Sequence, residues 1–217
     1  MSERTELGQI RQEYPDAGLD EGDVDPDPVT QLRRWLDDAI AAEVPEPNAM
    51  TVATVDAEGR PSARTVLLKG LDQRGVVFFT NYASRKSRAL EANPACALVL
   101  LWKPLQRQVC ITGTATRLGR EESATYFATR PRGARLGAWA SEQSAVIASR
   151  GVLERRLAEL EATWGEHDEI PLPPFWGGFV VAPDAVELWQ GRPDRLHDRL
   201  RYSRTATGAW GLERLSP

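Results

Sequence analysis

Between residues 29 and 43 the apolar positions Leu32, Trp35, Leu36 and Ile40 recur at helical spacing, with Asp27 or Thr30 placed to cap an amphipathic helix. The period then shortens. Residues 49–56 are rich in Thr and Val, Glu58-Gly59 supplies a turn, and residues 62–70 form a second β-type run, which together predict a hairpin. A turn over 72–75 leads into Val76-Val77-Phe78-Phe79-Thr80. A short polar helix is predicted over 84–92 and stops at Asn93-Pro94, because proline disfavours the helical region for the residue before it. Residues 95–102 and 106–118 read as strands joined by a turn at Pro104. Five β segments within about 70 residues leave no room for crossover helices, so a mostly antiparallel barrel is predicted over a Rossmann sheet. Further helices are predicted over 121–129 and 151–164, a Pro-rich connection over 170–174, and closing strands over 178–181, 185–190 and 210–215. No repeat or linker divides the chain, which predicts one α+β domain over 29–217.

Composition adds an uneven charge. The whole chain of 217 residues carries −4, but its first 28 residues hold nine acidic and two basic side chains, so the rest is +3. Residues 1–28 therefore read as an acidic segment, either a partly disordered tail or a mobile flap over a site. A body this weakly basic does not suit nonspecific nucleic-acid binding, which needs many cationic contacts to phosphates. No apolar run reaches the roughly 20 residues a membrane helix requires, and the start lacks a signal-peptide pattern, so a cytoplasmic protein is expected. Cys96 and Cys110 lie in apolar stretches without metal-ligand spacing and are expected to be reduced, buried thiols; no metal site is expected.

Candidate chemistry lies in three arginine-rich stretches. Arginine's planar fork of donors suits phosphate oxygens, and a helix start adds free N–H groups. The first stretch, around Ser84-Arg85-Lys86, falls where a predicted strand gives way to a helix; taken alone, such a turn is more often a solvated face. The second is Arg130-Pro131-Arg132-Gly133-Ala134-Arg135. The third runs from 192 to 201, where Arg195, His197 and Arg199 surround Asp198. Of the two histidines, His197 is the better proton-handling candidate, since His167 lies in the polar stretch 165–169. Walker, GxGxxG, HExxH and GxSxG patterns are all absent, which excludes the common nucleotide, zinc and serine-hydrolase designs. A site of Arg, Lys, Gln, Ser and Trp around a barrel points to an organic cofactor that carries the reaction, a description that flavin mononucleotide (FMN) fits.

The words Arg64-Thr65-Val66-Leu67-Leu68-Lys69, Phe79-Thr80-Asn81, Ser84-Arg85-Lys86, Glu91-Ala92-Asn93-Pro94 and Arg107-Gln108-Val109 occur in order. They continue through Tyr126-Phe127, Arg130-Pro131-Arg132, Gly137-Ala138-Trp139, Gln143-Ser144, Phe175-Trp176-Gly177-Gly178, Trp189-Gln190-Gly191 and Arg195-Leu196-His197-Asp198-Arg199. In this the chain resembles the pyridoxamine 5′-phosphate oxidase family over nearly its whole length. The resemblance implies an FMN-binding split β-barrel, mostly antiparallel and Greek-key-like with peripheral helices, working as a homodimer with FMN at the interface. It implies oxidation of pyridoxamine 5′-phosphate, and of pyridoxine 5′-phosphate, by O2 to pyridoxal 5′-phosphate in vitamin B6 salvage. By the same resemblance FMN is held by Arg64, Thr65, Val66, Leu67, Leu68, Lys69, Phe79, Thr80, Arg85, Lys86, Gln108, Gln143, Ser144, Trp189 and Arg199. Substrate contacts carried over are Lys69, Tyr126, Arg130 and position 134 around the phosphate, with Arg195 and His197 as catalytic residues near the reacting carbon. Arg11 and Tyr14 match a mobile lid. The family pattern has a serine where this chain has Ala134, a departure that bears on substrate preference. Two rivals are another split-barrel flavin or deazaflavin reductase and a noncatalytic protein that stores FMN or pyridoxal phosphate; the segment 195–199 argues against the first, and turnover separates the second.

Overall fold

A computed structural model describes Tyr14 and residues 17–165 and 169–217. Arg11 and His167 lie outside the described residues. Helix α1 spans Pro28–Ala41; the Asp27 carboxylate accepts the N–H groups of Val29 and Thr30, and Pro28 sits in the first turn, where its missing N–H removes no helical bond. Strands β1 (Ala49–Val55) and β2 (Pro61–Leu67) form the expected hairpin, paired antiparallel from Ala49 opposite Leu67 to Val55 opposite Pro61. Strands β3 (Gly70–Asp72) and β4 (Gly75–Asn81) follow. Gly75 is required between them: its φ is +133°, and a Cβ there would lie 2.0 Å from the Val181 carbonyl oxygen. Helix α2 (Arg85–Ala92) begins at Ser84, whose hydroxyl accepts the Ser87 N–H, and ends at extended Asn93. Strands β5 (Ala95–Trp102) and β6 (Arg107–Arg117) precede helices α3 (Arg120–Ala128), α4 (Arg132–Ala140) and α5 (Arg150–Trp164). Strands β7 (Trp176–Gln190), β8 (Asp198–Arg204) and β9 (Trp210–Arg214) complete the chain.

The strands form one sheet in the order β2-β1-β5-β6-β7-β4-β3, with β8 paired to β7 and β9 to β8. Every pairing whose register is described is antiparallel. One expectation is corrected here. The two closing strands over 178–181 and 185–190 are a single strand, β7. Residues 176–181 pair with β4 and residues 185–190 with β8, so Pro183 falls between those ladders and its lost N–H breaks neither. Residues 132–135 of the second arginine stretch open helix α4 and residues 198–201 of the third open β8, two elements that the periodicity did not predict.

The chain divides into two compact units. One comprises the described residues up to 47 together with 99–110 and 185–217, the other the described residues of 48–98 and 111–184. In the first, Leu32, Trp35, Leu36, Leu100, Trp102, Val109, Leu188, Leu200 and Tyr202 are buried; the Trp102 indole donates to the Pro47 carbonyl and the Tyr202 hydroxyl to that of Asp25. In the second, Met50, Val52, Val76, Phe78, Leu98, Ile111, Phe179 and Val181 are buried. A separate cluster of Phe127, Leu136, Ile170 and Trp176 seats α3 and α4. Among the described residues no helix is long and apolar enough to cross a membrane.

Candidate active site

The second unit holds a cleft of about 560 Å³. Its walls come from Thr65–Leu67 at the end of β2, Lys69 just beyond, Phe79 and Thr80 on β4, Lys86 in the first turn of α2, Tyr126 on α3, and Arg130. Ala134 on α4, Gln143 and Trp176 close it, and an adjoining lobe of about 340 Å³ is walled by Gly137, Ala138 and Ser141 as well. Eleven sequence-predicted residues thus line one cleft: Thr65, Val66, Leu67, Lys69, Phe79, Thr80, Lys86, Tyr126, Arg130, Ala134 and Gln143. None of the cleft's lining residues is acidic.

Lys86 is the most confined cation, only 8% exposed. Its ammonium donates to Thr80 Oγ1 at 2.9 Å and Gln143 Oε1 at 2.8 Å. Burial, with the nearby Arg64 charge second, pushes Lys86 down to about 8. The 141–143 segment that presents Gln143 is fixed by Asn81, whose amide donates to the Ser141 carbonyl at 3.2 Å and accepts the Ala83 N–H at 2.8 Å. Ser144 Oγ accepts the Arg85 N–H at 3.2 Å, tying the same segment to the start of α2, while the Arg85 side chain is exposed. Arg64 does not line the cleft. Its guanidinium spans the hairpin, donating to the Val52 carbonyl, Thr54 Oγ1 at 2.9 Å and Ser62 Oγ at 2.6 Å. Leu68 is buried beside it in sequence and also stays out of the wall.

The opposite wall is aromatic. Phe79 stacks on Tyr126 with ring centroids 3.9 Å apart and on Trp176 at 5.4 Å, and the Arg130 guanidinium lies 4.7 Å from the Trp176 ring centroid. Arg130 Nη1 is buried with no hydrogen-bond partner among the described residues, and burial pulls the Arg130 pKa down, though guanidinium stays charged at any ordinary pH. A buried, unpartnered donor is costly unless a ligand oxygen meets it. Trp176, Thr129 and Pro131 were given no role from the sequence; an arginine followed by an aromatic far along the chain carries no local signal that the two will stack.

The first unit holds the other predicted residues. The Trp189 and His197 rings lie 4.6 Å apart, and Tyr14 meets both edge-on at 6.0 and 5.5 Å. Tyr14, Trp189 and Gln108 line a cavity of about 160 Å³. A Cβ at Gly191 would be crowded here, 3.0 Å from Gln106, 3.1 Å from the Tyr14 ring and 3.2 Å from Trp189. His197 Nδ1 accepts the Arg192 N–H at 3.0 Å, which leaves the neutral ring's proton on Nε2. Asp194 and Arg195, just before it, are left-handed at φ 55° and 62°, a conformation that side chains adopt at a cost of order 1 kcal/mol each. Arg199 donates to Glu187 Oε1 at 2.9 Å and to the Ser216 carbonyl. Cys96 and Cys110 are free thiols, both raised by burial, and no group of metal-ligating side chains is present among the described residues.

Comparisons with known proteins accord with this arrangement. Residues 36–164 match the family described as pyridoxamine 5′-phosphate oxidase, and residues 176–217 match the pyridoxine 5′-phosphate oxidase C-terminal dimerisation region. The chain is 58% identical over 214 residues to pyridoxine/pyridoxamine 5′-phosphate oxidase of Salinibacter ruber, covering 98% of this chain and 100% of that one. It is 57% identical to the protein of the same name from Rubrobacter xylanophilus, covering 99% and 98%. Among solved structures, PhzG from Burkholderia lata 383, in complex with tetrahydrophenazine-1-carboxylic acid, superposes with a TM-score of 0.87 at 34% identity over 93% of this chain and 99% of that chain. A pyridoxamine 5′-phosphate oxidase-related, FMN binding protein from Nostoc punctiforme shares the fold, with a TM-score of 0.70 at 20% identity, covering 85% and 97%. The sheet is therefore the split β-barrel of these proteins, the α+β fold expected.

Proposed function

The chain belongs to the pyridoxine/pyridoxamine 5′-phosphate oxidase family of oxidoreductases, and from that premise we propose that it makes pyridoxal 5′-phosphate by oxidising pyridoxamine 5′-phosphate and pyridoxine 5′-phosphate with dioxygen. The amine, O2 and water give the aldehyde, ammonia and hydrogen peroxide; the alcohol and O2 give the aldehyde and hydrogen peroxide. The observation that carries this reading is the cleft in which Lys69, Lys86 and Arg130, whose buried Nη1 has no hydrogen-bond partner, stand with no carboxylate among the described residues of the wall, beside a stack of flat rings. Such a wall suits two phosphates and two planar heterocycles.

FMN fits these residues. Lys86 and Arg85 at the start of α2 would hold its phosphate, with Gln143, Ser144 and Thr80 around it and the 64–69 run along its ring; the resemblance adds Gln108, Trp189 and Arg199. When bound, FMN supplies two-electron oxidation of the substrate carbon and delivery of the electrons to O2. The protein's own part is to bind and orient. Lys69, Tyr126 and Arg130 would grip the substrate phosphate, while Arg195 and His197 face its ring. With Nδ1 occupied, His197 offers Nε2–H as a donor that orients the substrate rather than as a base. The match to the dimerisation region supports a homodimer.

Anaerobic mixing tests the reading. Pyridoxamine 5′-phosphate should bleach the protein-bound flavin, and air should restore it with one peroxide per aldehyde; a flavin that stays oxidised sinks the proposal. A second reading comes from Ala134 and the small-residue lobe beside Arg130, because PhzG binds a carboxylate of a larger ring system: bleaching by a reduced aromatic carboxylic acid, and not by the phosphates, would select it.

A further inference from the structure

Arg214, three residues before Pro217, makes contacts that exceed those of an ordinary surface ion pair. It is held in place on β9 and forks onto Glu21, with Nε at 2.9 Å from Oε1 and Nη2 at 2.8 Å from Oε2. The same Nη2 reaches the Leu19 carbonyl at 3.0 Å and Asp20 Oδ1 at 3.1 Å, and Nη1 reaches Asp198 Oδ1 at 2.7 Å. Asp198 completes the clasp. Its other oxygen accepts the Leu19 N–H at 3.0 Å and Arg192 Nη1 at 3.2 Å. Both backbone groups of Leu19 are thus taken, and its side chain is buried.

Asp198 follows His197 directly, and the Arg192 whose guanidinium it binds is the residue whose N–H fixes His197 Nδ1. Tyr14, five residues before Leu19, rests on His197 and Trp189. One pair of charges therefore ties down both the segment that carries Tyr14 and the turn that carries His197. Isolated exposed ion pairs are worth little. This one differs in being forked, joined to backbone groups, and anchored on an Asp198 side chain only 13% exposed.

We propose that Asp198 and Arg214 are positioning residues that set Tyr14 against His197 and thereby tune affinity for the phosphorylated pyridine. The proposal rests on the oxidase reading for the roles of Tyr14 and His197. Neither Asp198 nor Arg214 is taken to touch substrate.

The test uses full-length, FMN-loaded protein. Arg214→Ala should raise KM for pyridoxamine 5′-phosphate by about tenfold with kcat within about twofold, and Arg214→Lys, lacking the fork, should recover part of the loss. In a Tyr14→Ala background Arg214→Ala should add less than about twofold, because the clasp acts through Tyr14. Amide exchange over residues 17–25 should quicken in Arg214→Ala. The paired change Asp20→Asn with Glu21→Gln leaves Arg214 on Asp198 and should shift KM the same way by a smaller factor, which covers a poorly folded Arg214→Ala. Titration with pyridoxal 5′-phosphate, read by its absorbance, should weaken in step with KM. If the parent oxidises neither substrate, the oxidase reading fails, while titration and exchange still decide the clasp. Parental KM and pyridoxal 5′-phosphate affinity in Arg214→Ala, or multiplicative effects of Tyr14→Ala and Arg214→Ala, would overturn it.

Discussion

The cleft of the second unit and the C-terminal strands of the first use their cations in opposite ways. In the cleft of the second unit, Lys86 rests on a hydroxyl and an amide, Arg130 on aromatic faces, and no acid stands in the wall. In the first unit, Arg199 is bonded to Glu187, Arg192 to Asp198, and Arg214 to Asp20, Glu21 and Asp198. The cleft cations meet no acidic side chain among the described residues, whereas these arginines of the first unit are paired within the fold. An arginine-rich sequence alone cannot distinguish the two, since the deciding partners are distant in the chain: Glu21 and Arg214 are 193 residues apart.

The sharpest way to break this contrast is to remove a cleft cation. Lys86→Met should weaken FMN binding by roughly ten- to a hundredfold, the equivalent of about 1.5–3 kcal/mol for a bond to a charged group, as read by flavin fluorescence on dilution. Arg130→Met should act almost as strongly on the substrate, raising KM by about tenfold or more while FMN affinity holds.

Titration sharpens the same point. The Lys86 ammonium, at about 8 in the folded protein against 10.5 ordinarily, binds fewer protons than in the unfolded chain between those values. Stability of the FMN-free protein should therefore rise as pH climbs from about 8 towards 10.5, whereas below 8 the cost of the buried charge is full and constant. FMN affinity should move the other way, falling as pH passes 8, and Lys86→Met should flatten both profiles in denaturation and binding measurements.

A smaller gain is expected from Ala134→Ser. A hydroxyl placed beside Arg130 adds one donor to an anion, so KM for the phosphorylated substrates should fall by up to about tenfold. The least effect is expected from Glu187→Gln, since a pair at a partly exposed site contributes about 0–1 kcal/mol; thermal unfolding should register no more than that, with Lys86-dependent binding unchanged.

Local chemistry made much of the fold legible. The cap at Asp27, the turn at Gly59, the stop at Asn93-Pro94 and the alternation of β1 each announce themselves within a few residues. Helix α4 did not. It opens after Pro131 without a side-chain cap, contains Gly133 and Gly137, and buries only Leu136 and Ala140, so its helicity depends on tertiary packing rather than propensity. Strand β8 alternates Leu200 and Tyr202 inward with Arg199, Arg201 and Ser203 outward, a period-two signal masked by its charge. Of the site, the identity of the cleft residues was legible through ordered family words, yet the stacking of Trp176 under Arg130 and the orientation of His197 by a backbone N–H arise only when distant segments meet.

The long strands carry a consequence for how such a chain can be recombined. Of the four junctions between the units, only that at 47–48 lies in a loop, and those at 98–99, 110–111 and 184–185 fall inside β5, β6 and β7. Neither unit is thus a cassette. A chimera spliced at those junctions joins half-strands from two parents and inherits every mismatch of register between them, whereas a crossover in the 141–149 connection leaves each strand of single parentage.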